Sequence, residues 1–317
     1  MPRDESDASW AGSLKPAFLI LVHDDAKHFR RLVEKVSKIG DCYVHVDIKA
    51  DIREFQATAS NVSYCPHRAD VRWSGISMVF AMKTLMQYAL ENSRDRQYSH
   101  FAFLSGACYP IKPLAVILKY FQDNAGKQIM RVAECVAQPI DLQKSLRGVW
   151  LYEYLPVRAG GSKINRFIVT LFKKYLSNIK RPLPNKYDKY YYGSQWFAIT
   201  PECAKHVVEA IDNNKEFVRY FRFSSAPDEL LIQTIVANSD FNTGVQYVAA
   251  PFGVWILSSY HLIHGTLRKW YTHEDISEIR KSKKYFVRKL HSRTSDKLVD
   301  IIDNELMRGD AQVLQEP

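Results

Sequence analysis

The chain has 317 residues, 46% of them apolar and 25% charged. That length and balance suit a globular protein with a sizeable core and exclude a disordered or fibrous one. Lys and Arg number 44 against 34 acids, a net charge of +10, which favours anionic partners: nucleic acid, a nucleotide diphosphate or an acidic membrane surface. The five cysteines form no CxxC pair and are odd in number, so they read as reduced thiols of a cytosolic protein, not a disulfide framework or zinc site. No apolar run reaches the roughly 18 residues that span a membrane.

Residues 1–15 are polar, lack a signal-peptide core and are expected to form a flexible leader. Residues 17–22 (AFLILV) form a continuous apolar run, as a buried strand of a parallel sheet does. Residues 25–39 have helical spacing through Phe29, Leu32, Val33, Val36 and Ile39, with Gly40 expected to close the helix. Residues 42–46 (CYVHV) make a second buried strand and complete a βαβ unit. Residues 77–90 predict another helix, and 100–104 (HFAFL) another strand ending in Ser105. This alternation predicts an α/β fold with an open, mostly parallel sheet. Ligands of such sheets sit beyond the carboxyl ends of the strands, where His23, Asp47 and Ser105 fall.

Residues 163–180 predict a basic amphipathic helix, a surface that could touch a membrane face. Residues 190–199 (YYYGSQWFAI) read as a glycine turn into an apolar strand. Residues 224–235 (SSAPDELLIQTI) look like a helix start: Ser225 as cap, Pro227 in the first turn, Asp228 completing an S-x-x-D box. Two readings of Asp228 and Glu229 stay open on these residues alone. Both could be first-turn partners of the helix dipole, or one could be a base tuned by burial and nearby cations. Further on, Arg268, Lys269, Arg288 and Lys289 are candidates to offset charge on a leaving phosphate. The sequence has no D-x-D, no P-loop, no G-x-G-x-x-G and no G-x-S-x-G, so a required metal and the kinase, dehydrogenase and hydrolase readings lose support.

Six segments then stand in order: HVDxK at 45–49, VRWSG at 71–75, FLSGxxYPIK at 103–112, GSQWF at 193–197, PDE at 227–229 and FVRK at 286–289. In this series the chain resembles the core-2/I-branching glycosyltransferases, a family that includes β-1,6-N-acetylglucosaminyltransferases and peptide O-xylosyltransferases. The resemblance covers residues 16–292 and looks like a bacterial-type member. It implies a single GT-A-like domain over 16–292, a central mostly parallel mixed sheet flanked by helices, with a C-terminal helical tail at 293–317. It also implies an inverting, metal-independent transfer from a UDP-sugar, N-acetylglucosamine first and xylose or glucuronic acid as alternatives. No cofactor is expected beyond the donor.

By the same resemblance Glu229 is the expected base, taking the proton of an acceptor hydroxyl as its oxygen attacks the anomeric carbon. Arg268 and Lys289 match the family's two cations on the diphosphate; Lys269 and Arg288 are left as exposed surface. His23, Asp47, Arg72, Trp73 and Ser105 are expected on the nucleotide side. Glu134, Lys144, Arg147, Tyr192, Gln195, Trp196 and Asp228 are expected on the acceptor side, with Asp228 capping or orienting its loop. Cys108 stands where the family commonly has an acid and reads as a buried thiol. The expected acceptor is a saccharide, free or lipid-linked, in surface polysaccharide or glycolipid synthesis, and the expected place is the cytoplasm or the inner membrane face. A non-catalytic sugar-nucleotide binder and a nucleic-acid-binding protein are the competing classes. No RNP, helix-turn-helix or zinc signature supports the last.

Overall fold

The structure, a computed structural model, describes residues 14–93, 96–136, 140–154, 170, 174–249 and 254–307. The basic segment 163–180, most of the leader and the end of the tail therefore lie largely outside the described residues.

In chain order the strands are β1 (Lys15–Val22), β2 (Asp41–Val46), β3 (Val62–Tyr64), β4 (Tyr98–Ser105), β5 (Cys108–Pro110) and β6 (Arg131–Glu134). They continue with β7 (Tyr191–Gly193), β8 (Ala198–Ile199), β9 (Gln246–Tyr247), β10 (His261–Ile263) and β11 (Phe286–Arg288). Five of them form the central sheet in the order β3-β2-β1-β4-β8. Its first four strands are parallel, and only β8 runs antiparallel, against β4. The fold is thus mixed α/β with a mostly parallel sheet. Two small sheets flank it, β10-β11-β5 and β7-β6-β9.

The unbroken apolar run of β1 is explained by its position, because helices cover both faces. Ala17, Leu19 and Leu21 pack with Val79, Met82 and Met86 of α2 (Ile76–Ser93). The alternate residues Phe18, Ile20 and Val22 pack with Phe29, Leu32 and Val33 of α1 (Ala26–Val36) and with Ile117 and Phe121 of α3 (Leu114–Asp123). Side chains that alternate across the strand thereby feed two separate cores.

Gly40 does not close α1. The helix ends at Ser37, whose N–H bonds the carbonyl of Val33 at 2.9 Å, and Gly40 opens β2 instead. Only a glycine fits there, since a Cβ would lie 2.2 Å from the Pro16 carbonyl oxygen and 3.0 Å from the Phe18 ring. The start of α1 is better defined. Asp25 adopts a left-handed φ of 55° and accepts from the His28 N–H at 3.2 Å. The same carboxylate takes the N–H and hydroxyl of Ser292, at 2.6 and 2.7 Å, and so ties the C-terminal segment to the end of β1.

The 190–199 stretch departs from a single turn and strand. Gly193 lies inside β7, opposite Val132 of β6, and the chain then crosses to the central sheet as β8. The segment 194–197 thus spans the opening between the two sheets.

Gly40→Ala is expected to destabilise the protein by about 1–3 kcal/mol, the usual cost of overpacking. Denaturant unfolding checks this, and an unchanged midpoint would show that β1 and β2 can part without cost.

Candidate active site

The order β3-β2-β1-β4 reverses direction at β1, from which the chain leads first to β2 on one side and later to β4 on the other. The crevice beyond the carboxyl ends at such a switch is where open α/β sheets bind ligands. His23 follows β1, Asp47 follows β2 and Ser105 ends β4, so these three predicted residues line one rim. The His23 ring keeps an exposed edge. Its pKa is lowered, first by desolvation and then by Arg288 and Lys49, against the pull of Asp24 and Asp47.

Asp47 is engaged within the protein. It accepts from Lys49 N at 2.9 Å, from Lys49 Nζ at 2.8 Å and from Val71 N at 3.2 Å. Lys49 also reaches Asp70 at 2.6 Å, and Asp70 pairs with Arg72 at 2.7 Å. The loop carrying Arg72 and Trp73 is thereby fixed against β2. Trp73 is 64% exposed and meets Tyr152 edge-on at 5.4 Å.

That loop also holds the predicted base. Ser74, at φ 60°, accepts the Ala226 N–H on its hydroxyl at 2.8 Å. A Cβ at Gly75 beside it would lie 2.3 Å from Glu153 Oε2 and displace that carboxylate, which binds Ser77 N and Oγ at 3.0 and 2.9 Å. Ala226, in the left-handed region at φ 50°, leads into a 3-10 turn over Pro227–Glu229, and the α-helix begins only at Leu231. The expected cap is therefore corrected. Ser225 gives no side-chain cap; its N–H bonds the Ser145 carbonyl at 2.8 Å, and Asp228 forms no box. Leu231–Ala237 is buried at every residue, which agrees with its all-round apolar pattern.

The turn sets two carboxyl groups side by side. Asp228 is buried, one of its oxygens has no hydrogen-bond partner, and desolvation raises its pKa. Glu229 retains partial solvent access. Its pKa is raised from 4.5 to about 8, first by desolvation and next by Asp228, while Tyr192 and Arg288 lower it. The Tyr192 hydroxyl donates to Glu229 Oε2.

Across the crevice stand the cations. Arg288, read from the sequence as exposed surface, is half-buried in the site. Its guanidinium donates to Ser105 Oγ and lies 4.5 Å from the Trp196 ring centre. The available signal was strand alternation, which puts Arg288 on the same face as the buried Phe286. The Lys289 pKa is lowered to about 8, by burial first and then by the nearby charges of Arg288 and Arg268. Arg268 is exposed after Leu267, a left-handed residue at φ 58°. Lys269, by contrast, is not free surface: it is half-buried and paired with Asp275 at 2.7 Å.

The predicted acceptor residues divide. Tyr192 and Trp196 are in the site, and Gln195 beside them has a buried Nε2 without a hydrogen-bond partner. Glu134 is paired with Lys189 at 3.1 Å. Arg147 serves the framework, its Nε on the Arg181 carbonyl at 3.0 Å, and the carbonyl of Lys144 takes Trp150 Nε1 at 2.8 Å. Cys108 is a buried thiol 3.3 Å from His261 Nε2, with burial pushing its pKa up. All five cysteines are free and buried. Sequence reasoning also missed Arg181, which bonds the carbonyls of Leu146, Arg147, Gly148 and Tyr220 and the Ser224 hydroxyl behind the turn. Among the described residues no three His, Cys, Asp or Glu side chains cluster as metal ligands, and no helix is long and apolar enough to cross a membrane.

The crevice at the switch point of this parallel-sheet α/β fold is lined by acids and cations, a lining that can receive an anionic ligand. Residues 16–138 match the family described as Branch: Core-2/I-Branching enzyme. The matched segment holds His23, Asp47, Trp73 and Ser105; Glu229, Arg288 and Lys289 lie beyond it. No curated protein matches the chain. A solved structure assigned as a glucose-1-phosphate thymidylyltransferase from Bacillus anthracis, in complex with sucrose, is similar at 11% identity over 74% of this chain and 87% of that chain. Its TM-score of 0.32 is too low to bear on fold or reaction.

The raised Glu229 pKa carries a stability consequence. Between pH 4.5 and about 8 the unfolded chain releases this proton and the folded one keeps it, so stability falls as pH rises through that window. The Tm of Glu229→Gln minus that of the wild type is expected to be small at pH 5 and to grow by a few degrees by pH 8.5. Thermal scans of both proteins check this; a difference that stays constant with pH would contradict the raised value.

Proposed function

We propose that the protein is an inverting glycosyltransferase that uses a UDP-sugar without a divalent metal and acts through Glu229. The observation that carries the reading is the opposition of two groups in one crevice: a half-buried carboxylate on one wall, and Arg288 with Lys289 and Arg268 on the other. An inverting displacement needs this pair of features. Glu229 takes the proton of an acceptor hydroxyl while that oxygen bonds to the anomeric carbon. The bond from that carbon to the diphosphate breaks, and its electron pair leaves with UDP. The guanidinium and ammonium groups offset the charge that develops there, the work a metal ion does in other enzymes.

The crevice also fits the parts of the substrate. His23 lies near both Asp47 and Arg288, at the carboxyl end of the sheet where a nucleotide would rest. Tyr192 meets Glu229, and the crossing that follows it carries Gln195, whose Nε2 has no hydrogen-bond partner, and Trp196, which we assign to the acceptor side as a hydrogen-bonding group and an aromatic surface. The transferred sugar is proposed as N-acetylglucosamine, the donor sugar of the branching enzymes that the chain resembles. Xylose and glucuronic acid are the competitors that a screen of UDP-sugars separates. The acceptor is proposed as a saccharide hydroxyl, free or lipid-linked.

Isothermal titration of UDP in EDTA is expected to show binding, and Arg268→Ala is expected to weaken it by about 1.5–3 kcal/mol, as for a hydrogen bond to a charged group. Binding that requires a divalent ion would sink the metal-independent reading. Glu229→Gln is expected to keep UDP affinity and lose transfer by about 100-fold or more; retained turnover would remove Glu229 as the base.

A further inference from the structure

Tyr192 sits where the sequence expected only an acceptor contact, yet its hydroxyl is directed at Glu229 Oε2 inside the protein. The ring is 7% exposed and belongs to β7, opposite Ala133 of β6. Its height relative to the turn is fixed by Thr234, on the helix that starts at Leu231, two residues after Glu229. Thr234 Oγ1 accepts the Tyr191 N–H at 3.0 Å and donates to the Tyr191 carbonyl at 3.2 Å. The strand carrying the hydroxyl is thus pinned, at the residue before Tyr192, to the helix that follows the turn carrying the carboxylate.

We propose that Tyr192 is a positioning residue for the base: its hydroxyl holds Oε2 of Glu229 in place and leaves the second carboxylate oxygen for the acceptor hydroxyl. This rests on Glu229 being the base. A glutamate side chain has three rotatable bonds, and the Ser74 contact that holds the backbone of the turn leaves them free. One fixed oxygen removes most of that freedom, and small misplacements of a reacting group are costly in rate. The hydrogen bond also favours the ionised form, which is the form a base needs. It acts beside the other groups that face Glu229, Asp228 on its own turn and Arg288 on β11, while Cys135 at the end of β6 and Asp228 face the Tyr192 hydroxyl.

The test uses the full chain and the isosteric variant Tyr192→Phe, with thermal unfolding to confirm that it folds. Glu229 is titrated by infrared difference spectroscopy against Glu229→Gln, which needs no substrate. In Tyr192→Phe the carboxyl midpoint is expected to move to higher pH, because a bond to the charged form has been removed. A midpoint that is unmoved or lower overturns the proposal, whether or not the protein transfers a sugar. The kinetic arm expects kcat to fall about 10- to 100-fold with UDP affinity unchanged, and the ascending limb of the pH profile to move in the same direction as the infrared midpoint. A fall in kcat with an unmoved pH profile would mark Tyr192 as merely structural. A wild-type protein that neither binds UDP nor transfers a sugar would defeat the proposed reaction, while the infrared midpoint still decides the role of Tyr192.

Discussion

Keeping Asp228 and Glu229 adjacent and partly out of water opposes folding, since each carboxylate loses hydration and repels the other. Much of the surrounding structure offsets that cost. Tyr192 donates to one oxygen of Glu229, and Arg288 supplies the opposite charge from across the crevice. The turn itself hangs from Ser74, whose left-handed backbone presents a hydroxyl to the Ala226 N–H. Behind it, Arg181 gathers four carbonyls and the Ser224 hydroxyl, and stacks on Tyr220 at 4.0 Å. A turn held from outside in this way does not need the serine cap that its sequence suggests.

The opposite wall follows the same logic with the sign reversed. Arg288 ends β11 and Lys289 follows it, and the Arg288 charge makes that of Lys289 harder to hold. Arg288 is steadied by the Trp196 face and by Ser105, neutral partners that leave its charge uncancelled. Cys108 contributes to this. It pairs with Arg288 across β5 and β11, and its buried thiol is pushed towards the neutral form. A carboxylate at that position would compete for the guanidinium; the thiol does not. On the proposed reaction, that uncancelled charge acts on the leaving diphosphate.

These walls come from distant parts of the chain. The central sheet fixes His23, Asp47 and Ser105 at its carboxyl ends, the sheet β10-β11-β5 brings in Arg288, and the sheet β7-β6-β9 brings in Tyr192. The crossing from β7 to β8 carries Gln195 and Trp196 between the two. The site is therefore rigid where it is made of strands, and its remaining loops are braced by the Lys49–Asp70 and Glu153–Ser77 contacts.

The sequence by itself determined the parallel sheet, because doubly covered strands read as near-continuous apolar runs, as residues 17–22 of β1 and 101–104 of β4 do. It also placed His23, Asp47 and Ser105, since ligand positions follow directly from strand ends, and the ordered motifs marked Glu229 among many acids. Only the tertiary structure decided the rest. Whether Ser225 or Ala226 caps the turn depends on Ser74, 152 residues away. Whether Arg288 or Lys269 serves the crevice depends on what each meets in space: Lys269 finds Asp275 and Glu278, and Arg288 finds Trp196 and Ser105. Arg147 and Glu134 had the right residue types, but local partners already hold them. Local patterns record propensity and burial, whereas the protonation and aim of a charged group are set by neighbours that only the folded chain brings within reach.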